Sequence, residues 1–192
     1  MGTGRVEAFS DGVIAVILTI MVLELKAPDT GEASALLKLR LPLLNYILSF
    51  VVIAIFWVNH RTMLGLVRQV DAAVLWANNN LLFWLSLIPL ATAYMGQTKA
   101  AALSVAVYGM LLAVTSASFG LLRFVIAKQH KADPILSNRH KRLHVKDAFV
   151  MALYVVSVPL AFLSVIASFC IFVLIPALYF LPERTFESVG NE

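Results

Sequence analysis

AFVMALYVVSVPLAFLSVIASFCIFVLIPALYFLP, residues 148–182, carries no charged side chain. As a single helix at 1.5 Å per residue it would be about 50 Å long, well beyond the roughly 30 Å of hydrocarbon in a bilayer. Two short helices fit better, dividing somewhere between Phe162 and Ser168. Pro159 and Pro176 then fall inside the fifth and sixth helices, where membrane helices tolerate proline because their neighbours re-satisfy the freed backbone groups. Further charge-free runs precede this one: Gly12–Leu23, Leu41–His60, Ala72–Thr98 and Ala100–Leu122. The expected fold is all-α and polytopic. One domain, residues 1–192, holds six transmembrane helices at about 5–27, 42–66, 72–96, 100–127, 145–163 and 165–182.

Composition agrees with that layout. The chain is 60% hydrophobic and 14% charged, with a mean hydropathy of +0.87. A soluble domain is typically about 45–50% apolar and about 25% charged, so a soluble enzyme is excluded. The net charge of +4 reads first as a topology signal. With both termini cytoplasmic, the inner side holds Arg5, Arg61, Arg68, Arg123, Lys128, Lys131, Arg139, Lys141, Arg142, Lys146 and Arg184. The outer side holds Lys26, Lys38, Arg40 and Lys99. Eleven against four is a positive-inside bias. The most basic stretch, Lys128 to Lys146, reads as a solvated cytoplasmic loop that touches anionic lipid. No folded basic domain suits nucleic acid. No small-residue cleavage site follows the first apolar run, so it is expected to remain as a helix. Val6 stands where a myristoylation motif needs Ser or Thr. The single cysteine, Cys170, reads as apolar filler.

Polar groups at membrane depth are costly, and each is a functional candidate. Asp11 lies about two turns into the first helix, and Asn59 and His60 about two turns from the end of the second. Asn78, Asn79 and Asn80 lie about two turns into the third, and Asp147 opens the fifth. Alternating helix directions bring them to one depth, on the order of 10 Å inside the cytoplasmic boundary. A polar layer shared by several helices is expected, acting either as a hydrogen-bonded clamp between helices or as an ion or proton pathway. His60 has no Cys or His at ligand spacing, and His130, His140 and His144 lack zinc spacing. No metal centre, cofactor site, phosphate loop or catalytic set is expected.

Along the first helix, at about 100° per residue, Val16, Ile20 and Leu23 share one stripe, with Thr19 on its edge and Gly12 below. Asp11 points about 140° away from Val16, towards a packed or polar face. Periodicity alone reads the branched stripe as lipid-facing or core packing.

The pattern Arg5-x-x-x-Phe9-Ser10-Asp11 at the mouth of that helix resembles the signature of the transmembrane protein 175 family. These are potassium channels of endosomes and lysosomes, with shorter prokaryotic relatives. Phe56-Trp57-x-Asn59-His60, the Asn78–Asn80 run followed by Leu81-Leu82 and Pro89, and the six-helix layout extend the likeness over most of the chain. The resemblance implies a homotetramer of six-helix chains in a prokaryotic plasma membrane, with four copies of the first helix around the pore and potassium as the permeant ion. It implies a constriction of apolar side chains at Val16, Ile20 and Leu23, with Thr19 as the polar pore position. No Thr-Val-Gly-Tyr-Gly carbonyl filter occurs. It also implies helix packing by Arg5, Phe9, Ser10, Asp11, Asn59, His60 and Asn78. The family often has isoleucine or leucine at the narrowest position, where this sequence has the smaller Val16, so Ile20 and Leu23 also compete for the tightest ring. Prokaryotic members are implied to be weakly selective.

An apolar ring gates by dewetting and discriminates through the cost of stripping an ion's water. Thr19 hydroxyls can coordinate a partly hydrated ion beside it. Glu24 either draws cations to the outer mouth or pairs with Lys26. Two other function classes compete: a proton-coupled transporter built around Asp11 and His60, and a structural membrane subunit that conducts nothing.

Overall fold

The computed structural model describes residues 2–27, 31–32, 37–129 and 134–180, with all their side chains except those of 134–142, 144 and 178–180. Expectations for His130, Lys131 and the tail from 181 onwards lie outside the described residues. The helices are α1 (Thr3–Leu23), α2 (Arg40–Leu64), α3 (Ala72–Ser86), α4 (Ile88–Gln97), α5 (Ala102–Lys128), α6 (Pro134–Leu163) and α7 (Val165–Phe180). Among the described residues, five stretches are long and apolar enough to cross a membrane: α1, α2, α3 with α4, α5, and residues Val145–Leu163 of α6. At 16 residues, α7 is about 24 Å long and apolar throughout. The protein is an all-helical, multi-pass membrane protein.

The third span, expected unbroken over 72–96, is divided at Leu87. Pro89 has no N–H for the Leu85 carbonyl, and its ring crowds that carbonyl, so the ladder cannot run straight through. Asp71 caps the entry to α3, its carboxylate accepting from Val74 N at 2.8 Å, which satisfies one of the unpaired N–H groups of the first turn.

The 148–182 run turns back at Ser164, between α6 and α7. Ser164 Oγ accepts from Ala167 N, the N-cap arrangement that starts a new helix. Ser168 Oγ then donates to the Ser157 carbonyl at 2.9 Å, and the Tyr154 and Phe172 rings meet at 6.4 Å between centroids. These contacts run in antiparallel register, so α6 and α7 form a tight hairpin.

The Lys128–Lys146 stretch corrects an expectation. From residue 134 onwards it is helix rather than loop. Pro134 suits a first helical position, where no N–H is needed and φ is preset. No Gly or Pro follows before Pro159, so the helix propagates into the apolar span. Arg139, Lys141 and Arg142 lie before the Val145–Leu163 span on a helical extension of it, and Lys146 falls in its first turn.

The core is built around α5, which packs against α3, α4, α6 and α7. Small residues permit the close approach. A Cβ at Gly109 would lie 3.2 Å from the Phe172 ring and closer still to Ser157 Oγ. Beside it, Thr92, Ser49 and Tyr108 form a buried chain of hydroxyls at 2.7 and 2.9 Å, linking α4, α2 and α5.

At the end of α4, Ala100 N bonds the Met95 carbonyl and Lys99 N bonds the Gly96 carbonyl, the paired bonds of a Schellman turn. Lys99 occupies its left-handed position, at φ 53°, which glycine adopts without a Cβ penalty. Lys99→Gly is therefore expected to stabilise the protein by about 1 kcal/mol, read as a higher midpoint of thermal unfolding in detergent.

Candidate functional site: the two faces of α1

The first helix has two distinct faces. Val6, Ser10, Ile14, Ile17 and Met21 are buried at helical spacing, packed against α2, α3 and α4. On the other side Val16, Ile20 and Leu23 are 55%, 45% and 76% exposed, and Phe9 and Thr19 are exposed with them. A groove runs along this face beside the α3–α4 break, walled by Phe9, Gly12, Val16, Ile20, Ser86 and Pro89. The Thr19 hydroxyl donates to the Val16 carbonyl at 2.9 Å. Its proton is thus spent on the helix, while the oxygen keeps lone pairs for an incoming cation.

The polar residues expected as one layer separate into sets. Asn78 Nδ2 donates to Ser10 Oγ at 3.0 Å, and Asn78 Oδ1 accepts from His60 Nε2 at 2.7 Å. With the Asn78 amide oxygen turned to the ring, this bond corresponds to the His60 tautomer protonated on Nε2. All three side chains are buried, so α1, α2 and α3 are tied by one chain of bonds. Beside it, Trp57 Nε1 donates to Asp11 Oδ1 at 2.7 Å. Asn80 Nδ2 reaches Ser118 Oγ at 2.9 Å, joining α3 to α5. Arg123 Nε pairs with Asp147, joining α5 to α6.

Some expected members stand apart. Asn59 turns back on its own helix, donating to the Ile55 carbonyl at 2.8 Å. Asn79 and Arg5 are exposed. Glu24 caps α1 at a cavity of about 290 Å³, which Lys26, Tyr46, Thr92 and Gln97 also line. Trp57 and Ser118 had no assigned role in the sequence reading, and Asp147 was expected in the polar layer without Arg123 as its partner. One signal was present for the pair: Arg123 ends one apolar run, Asp147 begins the next, and consecutive antiparallel helices bring such ends together.

Asn78 is the hinge of the triad, since it serves Ser10 and His60 at once. Asn78→Leu strands both buried partners, at about 1–3 kcal/mol each. The expected result is a loss of stability in thermal unfolding on the order of 3 kcal/mol, with Asn79→Leu, exposed in the single chain, as the near-neutral comparison.

Residues 5–89, the stretch that holds the triad and both faces of α1, match the family model described as "Endosomal/lysosomal potassium channel TMEM175". A potassium channel of Chryseobacterium sp. is 35% identical over 193 residues, covering all of both chains. The chain belongs to the TMEM175 family. A potassium channel of Chamaesiphon minutus is 35% identical over 85% of this chain and 86% of its own, and one of Streptomyces collinus is 32% identical over 84% of each. The crystal structure of a lysosomal potassium-selective channel TMEM175 homolog from Chamaesiphon minutus superposes with a TM-score of 0.82 at 32% identity, over 92% of this chain and 97% of that one. The chain thus has the TMEM175 fold. The family is one of ion channels, not enzymes, and these TMEM175 relatives are bacterial.

Proposed function

We propose that this TMEM175 chain is a potassium-permeable cation channel whose constriction is made by Val16, Ile20 and Leu23 of α1, with Thr19 as the polar position beside them. One observation carries the reading: these side chains lie on the exposed face of α1, while the opposite face is locked into the subunit by Ser10 and its apolar neighbours. A single α1 encloses nothing, so copies must surround an axis, and closed cyclic symmetry is the usual solution. The assembly is a homotetramer, as the family resemblance implies, in a prokaryotic plasma membrane with both termini cytoplasmic. The eleven-to-four charge bias supports that orientation.

Rings of Val and Ile offer no oxygens to replace an ion's hydration shell. They discriminate by dehydration cost, which favours the more weakly hydrated potassium over sodium but only weakly. The Thr19 oxygen lies one helical step from the Ile20 ring and offers partial coordination there.

The test is a planar-bilayer recording of purified protein with potassium on one side and sodium on the other. Sustained single-channel currents with a modest potassium preference are expected, and Thr19→Ala should lower the conductance several-fold. Slow coupled flux would point instead to a proton-coupled transporter using Asp11 and His60. Absence of any transport would leave a structural subunit and overturn the proposal.

A further inference from the structure

A small cavity lies between α2, α5, α6 and α7, with no residue of α1 in its wall. Its volume is about 30 Å³, room for one or two waters. Most of the wall is apolar, including Phe56, Phe119 and Tyr154, but Asn59, Ser116 and Asp147 interrupt it. Ser116 is buried, and its hydroxyl has no hydrogen-bond partner in the protein. Asn59 has spent its Nδ2 on Ile55, which leaves Oδ1 as an acceptor. The Asp147 carboxylate engages Arg123 through Oδ2, and a carboxylate has acceptor sites for further bonds.

A second depression, a groove on the α5–α6 surface, is lined by Gly120, Phe124 and Met151 and shares Ser116 and Asp147 with the cavity. A Cβ at Gly120 would meet nothing within 4 Å, so the groove stays open up to those two side chains.

A wholly apolar cavity stays dry, whereas a cavity with two to four polar partners holds water that is costly to remove. We propose that this cavity is a hydration site, in which one or two ordered waters bridge Ser116 Oγ, Asn59 Oδ1 and the Asp147 carboxylate. The waters join α2 to the α5–α6 pair by hydrogen bonds, beside the direct edge contact of the Phe56 and Phe119 rings at 5.8 Å between centroids. They also keep the Arg123–Asp147 ion pair partly solvated inside an otherwise apolar bundle. The site is separate from the α1 constriction and stands whether or not that constriction conducts.

X-ray radiolytic footprinting of the full chain in lipid nanodiscs tests this, because bound water generates hydroxyl radicals where it sits. Tyr154 and Phe119, on the cavity wall at 2% and 5% exposed, should be oxidised several-fold faster than Tyr108 and Phe172, which are fully buried and not on it. Ser116→Val removes the hydroxyl and fills the space, so Tyr154 labelling should fall to the Tyr108 level. Equal labelling of all four rings in the wild type would overturn the proposal, leaving a dry cavity with the Ser116 hydroxyl turned onto the Leu112 carbonyl one turn back. Undiminished labelling in Ser116→Val would overturn it as well. The wild-type comparison needs no variant, so a poorly folding Ser116→Val does not blunt the test.

Discussion

Ile20→Asn is expected to raise the single-channel conductance about tenfold, equivalent to removing on the order of 1.4 kcal/mol of barrier, and to bring the potassium-to-sodium permeability ratio towards one. The reasoning starts from the ring itself. Four isoleucine side chains around an axis form an apolar girdle that water wets reluctantly and that gives a passing ion no ligands. Asparagine keeps a similar side-chain length but adds an amide that both wets the girdle and coordinates cations. The dehydration cost falls for every ion, and the difference between ions falls with it. Val16→Asn should act in the same direction. Whichever substitution moves conductance and reversal potential further marks the narrower ring. Neither residue is part of the buried α1 face, so folding should be spared. Currents unchanged in both variants would move the pore away from this face of α1.

Breaking the Arg123–Asp147 pair is expected to cost about 3–5 kcal/mol of stability, on the order of 10 °C in the thermal midpoint for a chain of this size. Both side chains are nearly buried, at 6% and 11% exposed, and Arg123 also lies 5.2 Å from the centre of the Phe119 ring. Asp147→Asn removes the counter-charge of the buried guanidinium, and Arg123→Met removes the guanidinium from the carboxylate. The penalty is mostly that of the stranded charge, because the desolvation of a buried pair cancels much of its attraction. The double substitution Arg123→Met with Asp147→Leu should therefore recover most of the loss. Thermal unfolding followed by size-exclusion in detergent measures all three variants. If the double variant is as unstable as the sum of the singles, the pair is worth more than its desolvation costs and the account fails.

Much of the architecture was legible because hydropathy acts segment by segment. The charge-free runs marked the spans, and the length of residues 148–182 favoured two short helices over one. The division into a packed and an open side of α1 was legible too, because helical geometry is local and Asp11 and Val16 must point different ways. Two elements depended on local chemistry that hydropathy does not register. Pro89 divides the third span at Leu87. Pro134 starts a helix through a basic stretch that charge alone had marked as loop.

The polar residues show where local reading ends. Asn59, Asn78, Asn79 and Asn80 looked alike as amides at one depth. In the structure one turns onto its own backbone, one ties three helices together, one is exposed and one bonds Ser118. Asp11 took Trp57 as a partner across 46 residues, and Ser10 took Asn78 across 68. The sequence by itself determined that this chain lives in a membrane, how many times its helices can cross, and which side chains share a face of α1. Only the tertiary structure decided which polar groups meet, because a rotation of one helix step, about 100°, exchanges a buried partner for an exposed one, and that rotation is set by packing against neighbours far away in the chain.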